Sequence, residues 1–204
     1  MAVLANNFSC SDTLAMPSLK YLLAYPSDVQ AQVRAWMERG ELATWLLARH
    51  PAAHGIRSDR ALYGCVNDMK ARCLRNAAPI DKVAFDSKLQ VIAHALGTHT
   101  AHSRVQGGRL KAKHEIRIAA LFRDSPPAFL QMIVAHELAH LRETAHNKAF
   151  YQLCEHMAPG YHQVEFELRV YLTHLDGGGA RLWADDADAT AADATGEISA
   201  ASPG

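Results

Sequence analysis

Apolar residues in the first third of the chain recur at intervals of three and four, the spacing of amphipathic helices. Ser27 precedes the first series as a possible N-cap, and Gly40 follows it. A second series stops at Pro51, and a third opens at Ser58 or Asp59. We therefore predict three N-terminal helices with these residues on their inner faces: Val29, Val33, Trp36, Met37, Leu42, Trp45, Leu46, Leu62, Tyr63, Val66, Met69, Cys73 and Leu74.

The hydrophobic period shortens after residue 80, which indicates strands. Residues 82–85 form one candidate strand. Residues 89–96 fit either a strand or a helix, and Gly97 is expected to end that element.

Gly107 and Gly108 signal a hairpin turn, because paired glycines accept the positive φ angles that a tight turn requires. Residues 114–122 then alternate in character, with Ile116 and Ile118 on one side and charged residues on the other. This pattern predicts a small, mostly antiparallel sheet.

The next stretch is apolar on nearly every side, as in a buried helix. Ser125 is the expected N-cap, and Pro126 suits the first helical position. Asn147 can cap a second helix over residues 148–157, and Pro159-Gly160 turns the chain into a third. The whole pattern predicts an α+β domain that is mainly helical.

The apolar helix carries His136, Glu137 and His140 near its C-terminal end. Residues four apart lie about 40° from each other around a helix, so both imidazoles can face one ion while Glu137 flanks the pocket. Neutral imidazole suits Zn²⁺, and a carboxylate beside an activated water can accept its proton. We predict a catalytic zinc site in which Glu137 is the general base.

The preferred third metal ligand is His146. It lies six residues beyond His140, so it reaches the ion only if the chain turns after about Arg142. Glu155 and Glu165 are the competing ligands.

The composition fits one domain in a reducing compartment. The chain has 204 residues, of which 49% are hydrophobic, and its four cysteines (Cys10, Cys65, Cys73 and Cys154) form no CxxC pair. No export signal or membrane-spanning apolar run stands out. We expect a cytoplasmic protein without a membrane partner.

Charge divides the chain unevenly, although the net charge is zero. Residues 176–204 hold six acidic residues and one arginine, a charge of −5, which leaves +5 on residues 1–175. We expect a disordered extension over residues 1–15, one domain over residues 16–175, and a disordered acidic tail.

The predicted hairpin carries a basic run, with only Glu115 opposing it. Such runs usually form a solvated face, and a functional one favours anionic partners such as a nucleotide or nucleic acid. Its residues are Arg104, Arg109, Lys111, Lys113 and Arg117.

Residues 133–161, IVAHELAHLRETAHNKAFYQLCEHMAPGY, resemble the YgjP-like family of metal-dependent hydrolases, which is grouped with zinc metallopeptidases. The resemblance extends over residues 19–175. It implies a zincin-like domain in which His136, His140 and His146 hold zinc and Glu137 is the base. More distantly, HELAH followed by HNKAFY is similar to the WLM and SprT-like proteases that act on DNA-bound proteins.

Three functions follow as hypotheses. Peptide-bond hydrolysis is the first, because residues 114–122 are expected to edge the cleft and pair with an extended peptide. The second is a nucleoside triphosphate pyrophosphatase, since the resemblance implies cleavage of UTP to UMP and diphosphate. The third is a DNA-associated or non-catalytic zinc module. For Tyr161 and His162, we expect packing and capping roles rather than donation to an oxyanion.

Overall fold

Six helices surround a small sheet in the computed structural model, which describes residues 19–89, 97–106 and 109–184. Only the backbone is described for residues 97–106 and 109–113. The expected N-terminal extension, the element at 90–96, the Gly107-Gly108 turn and residues 185–204 of the acidic tail lie outside the described residues.

The three N-terminal helices are α1 (Ser27–Glu38), α2 (Leu42–Arg49) and α3 (Asp59–Cys73), as predicted. Ser58 caps α3, because its side chain accepts a hydrogen bond from the backbone N–H of Ala61 at 3.2 Å. Gly40 adopts a φ of 68° between α1 and α2, a conformation that favours glycine. Ser27 is the first residue of α1 rather than its cap, which is Pro26.

The sheet contains β1 (Lys82–Asp86), β2 (Gly97–Gln106) and β3 (Arg109–Ala119) in the order β1-β3-β2. The hairpin of β2 and β3 is antiparallel, but β1 runs parallel to β3. The expectation of a mostly antiparallel sheet was therefore wrong for β1, and the sheet is mixed. Gly97, which was expected to end the preceding element, is the first residue of β2.

The register of β1 aligns buried residues of the two strands. Val83 pairs with Ile116, and Phe85 pairs with Ile118. All four side chains are buried, so the pairing joins two apolar faces into one.

β3 is the central strand of the sheet, not an edge. Along its second half, β1 and β2 occupy both of its sides. The strand also ends at Ala119, where a short 3-10 helix (Ala120–Asp124) replaces the end of the predicted strand. This placement removes the argument that this stretch offers free backbone groups to a peptide substrate.

The buried helix is α4 (Pro127–Ala139), and α5 (Lys148–Met157) and α6 (Tyr161–Asp176) pack against it. Residues 132–139 of α4 are all buried, in agreement with the apolar pattern. The N-cap of α4 is Pro126, not the expected Ser125. The Ser125 hydroxyl points back along the chain and donates to the Phe122 carbonyl at 3.0 Å.

The described chain continues past Leu175, where the acidic tail was expected to follow. Trp183 is buried, and its indole N–H donates to the His50 carbonyl at 2.7 Å. Its ring also packs edge-on against Phe129 and Tyr171. Residues 177–184 thus belong to the domain, because one large aromatic side chain anchors them.

Within the described ranges, no helix is both long and apolar enough to cross a membrane.

Candidate metal centre

The end of α4 brings three histidines together. His136 and His140 lie one turn apart, and the last helical hydrogen bond runs from the Glu143 N–H to the Ala139 carbonyl. The chain then leaves the helical path just past Arg142, as the sequence required, and returns with His146. One nitrogen from each histidine lies within 4.8 Å of the others.

The spacing of the imidazoles suits one small cation. The Nε2 atoms of His136 and His146 are 3.2 Å apart. Two Zn–N bonds of the usual length at a tetrahedral angle would place their nitrogens roughly 3.3 Å apart. The ring of Phe150 packs against all three histidines, with centroid distances of 4.6–4.9 Å, and so forms an apolar floor to the cluster.

Hydrogen bonds to Nδ1 orient two of the rings. His140 Nδ1 lies 3.0 Å from the Glu143 carbonyl, which can only accept, so Nδ1–H donates and Nε2 keeps its lone pair. His136 Nδ1 is 2.7 Å from the hydroxyl of Tyr161. Such partners fix the tautomer and direction of a ligating imidazole.

The contact between Tyr161 and His136 was not predicted, because only packing or capping was expected of Tyr161. It is fully buried at the start of α6, immediately after Gly160, whose φ is 79°. The Pro159-Gly160 turn was the available signal, because it aims the first side chain of α6 back at α4. His162, its neighbour, points to solvent instead.

Glu137 is completely buried, and neither carboxylate oxygen has a hydrogen-bond partner among the described residues. Burial raises the pKa of this side chain to about 8. A buried carboxylate of this kind needs a cation or a water to stabilise its charged form. Its position beside the histidines therefore fits a metal site.

Burial has the opposite effect on His136, since it opposes the protonated form of imidazole. Burial first, and then the neighbouring His140 and His146, lower the pKa of His136 to about 3. Burial also lowers the pKa of His140. Both rings therefore stay neutral, which is the form that binds a metal.

The two competing ligands have other roles. Glu155 accepts hydrogen bonds from the backbone N–H groups of Gly160 and Tyr161, at 2.7 and 3.0 Å, and so caps α6. Glu165 pairs with Arg169 at 2.7 Å. Among the residues described with side chains, the only group able to hold a metal is that of His136, His140 and His146.

The basic run is described only at one residue, because the side chains of Arg104, Arg109, Lys111 and Lys113 lie outside the description. Arg117 forms ion pairs with Asp86 at 3.1 Å and with Glu115 at 3.2 Å. Its charge is therefore largely balanced within the sheet.

Comparison with known proteins agrees with this geometry. A family model described as YgjP-like, metallopeptidase domain, matches residues 79–171. The chain is also 53% identical to UTP pyrophosphatase of Escherichia coli (strain K12) over 167 residues, which cover 82% of this chain and 100% of that protein. The chain belongs to the YgjP-like family. No solved structure gives a significant match.

Membership of the YgjP-like family confirms the resemblance found in the sequence, and it makes this protein a metal-dependent hydrolase. The alternative of a non-catalytic zinc module was therefore wrong. An association with DNA stays a prediction.

Proposed function

We propose that this YgjP-like protein is a zinc-dependent pyrophosphatase that hydrolyses UTP to UMP and diphosphate. The observation that carries the proposal is the relative named UTP pyrophosphatase, whose full length aligns at 53% identity. At that identity over a whole domain, the site and its substrate class are expected to be shared.

In this proposal, His136, His140 and His146 hold the metal, and Zn²⁺ is the ion that three neutral imidazoles best suit. The 3.2 Å separation of two Nε2 atoms supports this assignment. The unpartnered carboxylate of Glu137 also supports it, because a dication nearby would stabilise its charged form.

When bound, the metal supplies positive charge that lowers the pKa of water and stabilises negative charge on a phosphate. Glu137 accepts the proton of the attacking water at a carboxylate oxygen. The water oxygen bonds to the α-phosphorus, and the bond from that phosphorus to the bridging oxygen breaks, so diphosphate leaves.

The remaining residues keep this arrangement fixed. Tyr161 holds His136 through Nδ1, and the Glu143 carbonyl holds His140 in the same way. Phe150 excludes water from one side of the cluster. Preorganised groups of this kind need little rearrangement at the moment of reaction.

Peptide hydrolysis remains the second candidate, because the matching family model is described as a metallopeptidase domain. Its structural support is weaker than the sequence suggested, since β3 is central and paired on both sides. A peptide could pair only with an outer strand of the sheet.

The deciding experiment offers the zinc-loaded protein UTP and casein-type peptides in parallel. We expect UMP and diphosphate in equal amounts from UTP, and no new peptide termini. Release of inorganic phosphate and UDP would contradict the proposed bond cleavage. Peptide cleavage without UTP turnover would establish the second candidate instead.

A further inference from the structure

A second concave site lies between α1 and α6, outside the histidine cluster. It is a cavity of about 650 Å³, within the usual size range of small-molecule sites. Three of its walls are the aromatic rings of Tyr25, Trp36 and Phe166. Tyr25 and Phe166 contact each other at a centroid distance of 5.3 Å, which gives the cavity a firm aromatic side.

The polar groups of this cavity suit a heterocycle more than a phosphate. Gln32 and Gln163 line it, and amides both donate and accept hydrogen bonds. Gln163 uses its Nε2 to donate to Glu167 at 2.9 Å, which leaves its carbonyl oxygen to accept from a ring N–H. Asp28 places a negative charge in the lining, so the phosphates of a nucleotide would point away from it.

The cavity lies close to the histidine cluster. Tyr151 connects the two, because its ring centroid is 6.4 Å from that of His146 and 5.1 Å from that of His162, which lines the cavity. Around α6, His162 lies about 100° from Tyr161 and Phe166 about 140°, so both cavity residues lie on one side of the tyrosine that contacts His136. One tyrosine ring, that of Tyr151, therefore bridges His146 of the cluster and His162 of the cavity.

We propose that this cavity binds the nucleoside half of the nucleotide substrate, with the base stacked among Tyr25, Trp36 and Phe166. The inference rests on the proposed function, and it adds a binding site and the direction of the substrate. Aromatic stacking is expected to supply most of the affinity, since every nucleobase has a π face. The phosphates then extend past His162 to the histidine cluster.

The test fills the cavity and leaves the cluster intact. Val29 lines the cavity from α1, so Val29→Trp should occupy it, whereas Ala31→Trp adds the same bulk at an exposed position of that helix. UMP is titrated calorimetrically into the zinc-loaded wild type and both variants. We expect the Kd for UMP to rise at least tenfold in Val29→Trp and to stay within twofold in Ala31→Trp. The Kd for inorganic diphosphate should not change in either variant.

Equal UMP affinity in all three proteins would overturn the proposal, and so would a wild type that binds no UMP. If circular dichroism shows that Val29→Trp is unfolded, Gln32→Ala replaces it, with an expected threefold or greater loss of UMP affinity. The outcomes separate the two proposals. If Val29→Trp hydrolyses UTP with an unchanged KM, the cavity is not the nucleoside site, but the pyrophosphatase activity stands. If UMP binding depends on the cavity and the wild type does not hydrolyse UTP, the cavity site stands and the proposed pyrophosphatase activity is rejected.

Discussion

Glu137 lies in the middle of a core helix, with no exposed surface and no hydrogen-bond partner among the described residues for either oxygen. Such a side chain does not stabilise the fold, because desolvation disfavours its charge and nothing within the described protein compensates. Its proposed role as the base beside the histidines accounts for its presence in the core.

Glu137→Gln should yield a folded protein that binds metal almost normally and turns over UTP 10²- to 10⁴-fold more slowly, the usual range for loss of a general base. Glutamine keeps the size of the side chain but cannot accept a proton. Metal analysis and initial rates at saturating UTP measure the two properties separately. Wild-type turnover in this variant would refute the role of Glu137 as the base.

Each of the variants His136→Ala, His140→Ala and His146→Ala should bind less zinc per chain, because each lacks one of the three nitrogen donors. Glu165→Ala is the matched control, since Glu165 pairs with Arg169 outside the cluster. Metal content after dialysis decides the matter. Stoichiometric zinc in His146→Ala, together with loss in Glu165→Ala, would transfer the third ligand to α6.

Tyr161→Phe should weaken metal binding by about 10- to 100-fold, the range seen when the partner of a ligating histidine is removed. The variant keeps the buried ring and deletes only the hydroxyl that lies 2.7 Å from His136 Nδ1. Competition with a chelator measures the change in affinity, and Tyr151→Phe serves as the control. An unchanged metal affinity would show that Tyr161 only packs.

The arrangement of the histidine cluster depends on how α4 ends and α5 begins. The turn between them delivers His146, and α5 then places Phe150 beneath all three rings. Asn147 sets the start of α5, because its side-chain oxygen accepts from the Phe150 N–H at 2.9 Å. A helix cap and a metal site are thus built from adjacent residues.

Asn147→Ala should lower the free energy of unfolding by about 1 kcal/mol, the typical cost of a lost N-cap. It should also weaken zinc binding, since α5 positions Phe150 and follows His146 directly. Asn147→Ser is the matched control, because serine supplies the same kind of acceptor. Urea unfolding of the metal-free proteins checks the first effect. Equal stability of the alanine and serine variants would exclude the capping role.

A buried polar network joins three distant parts of the fold: the end of α2, the helix α6 and residues 177–184. Glu167 accepts hydrogen bonds from Arg49 at 2.6 Å and from Gln163 at 2.9 Å, and it also pairs with His50 at 2.7 Å. The His50 carbonyl in turn accepts from Trp183. Burial alone would raise the pKa of Glu167, but the hydrogen bonds from Gln163, His50 and Arg49 outweigh it and lower that pKa.

A lowered pKa means that Glu167 stabilises the fold above its unfolded pKa of about 4.3 and loses that contribution as the pH falls through its folded value. Glu167→Gln should therefore destabilise the metal-free protein by roughly 1–3 kcal/mol at pH 7 and by clearly less near pH 3. Glu38→Gln, at an exposed position of α1, is the control. A stability difference that does not change with pH would contradict this account.

The helices were readable from the sequence because their signals are local. Ser58, Asn147 and Gly40 mark the ends of helices through their own hydrogen bonds and dihedral angles. The continuous apolar sequence of α4 predicted that this helix is buried. Strand pairing depends on partners distant in sequence. The parallel alignment of β1 with β3 and the central place of β3 therefore could not be derived from alternation alone.

The candidate metal ligands could be predicted from the sequence alone, since the positions of His136, Glu137 and His140 on one helix follow from helical geometry, and His146 needed only a turn. The residues that support this cluster, and the cavity proposed for the substrate, could be found only in the folded structure. Tyr161 contacts His136, which lies 25 residues earlier in the chain. Trp183 donates to the carbonyl of His50, the residue that follows α2. Residues of α1 and α6 line the aromatic cavity. These contacts come from the packing of separate elements, for which no local pattern carries the information.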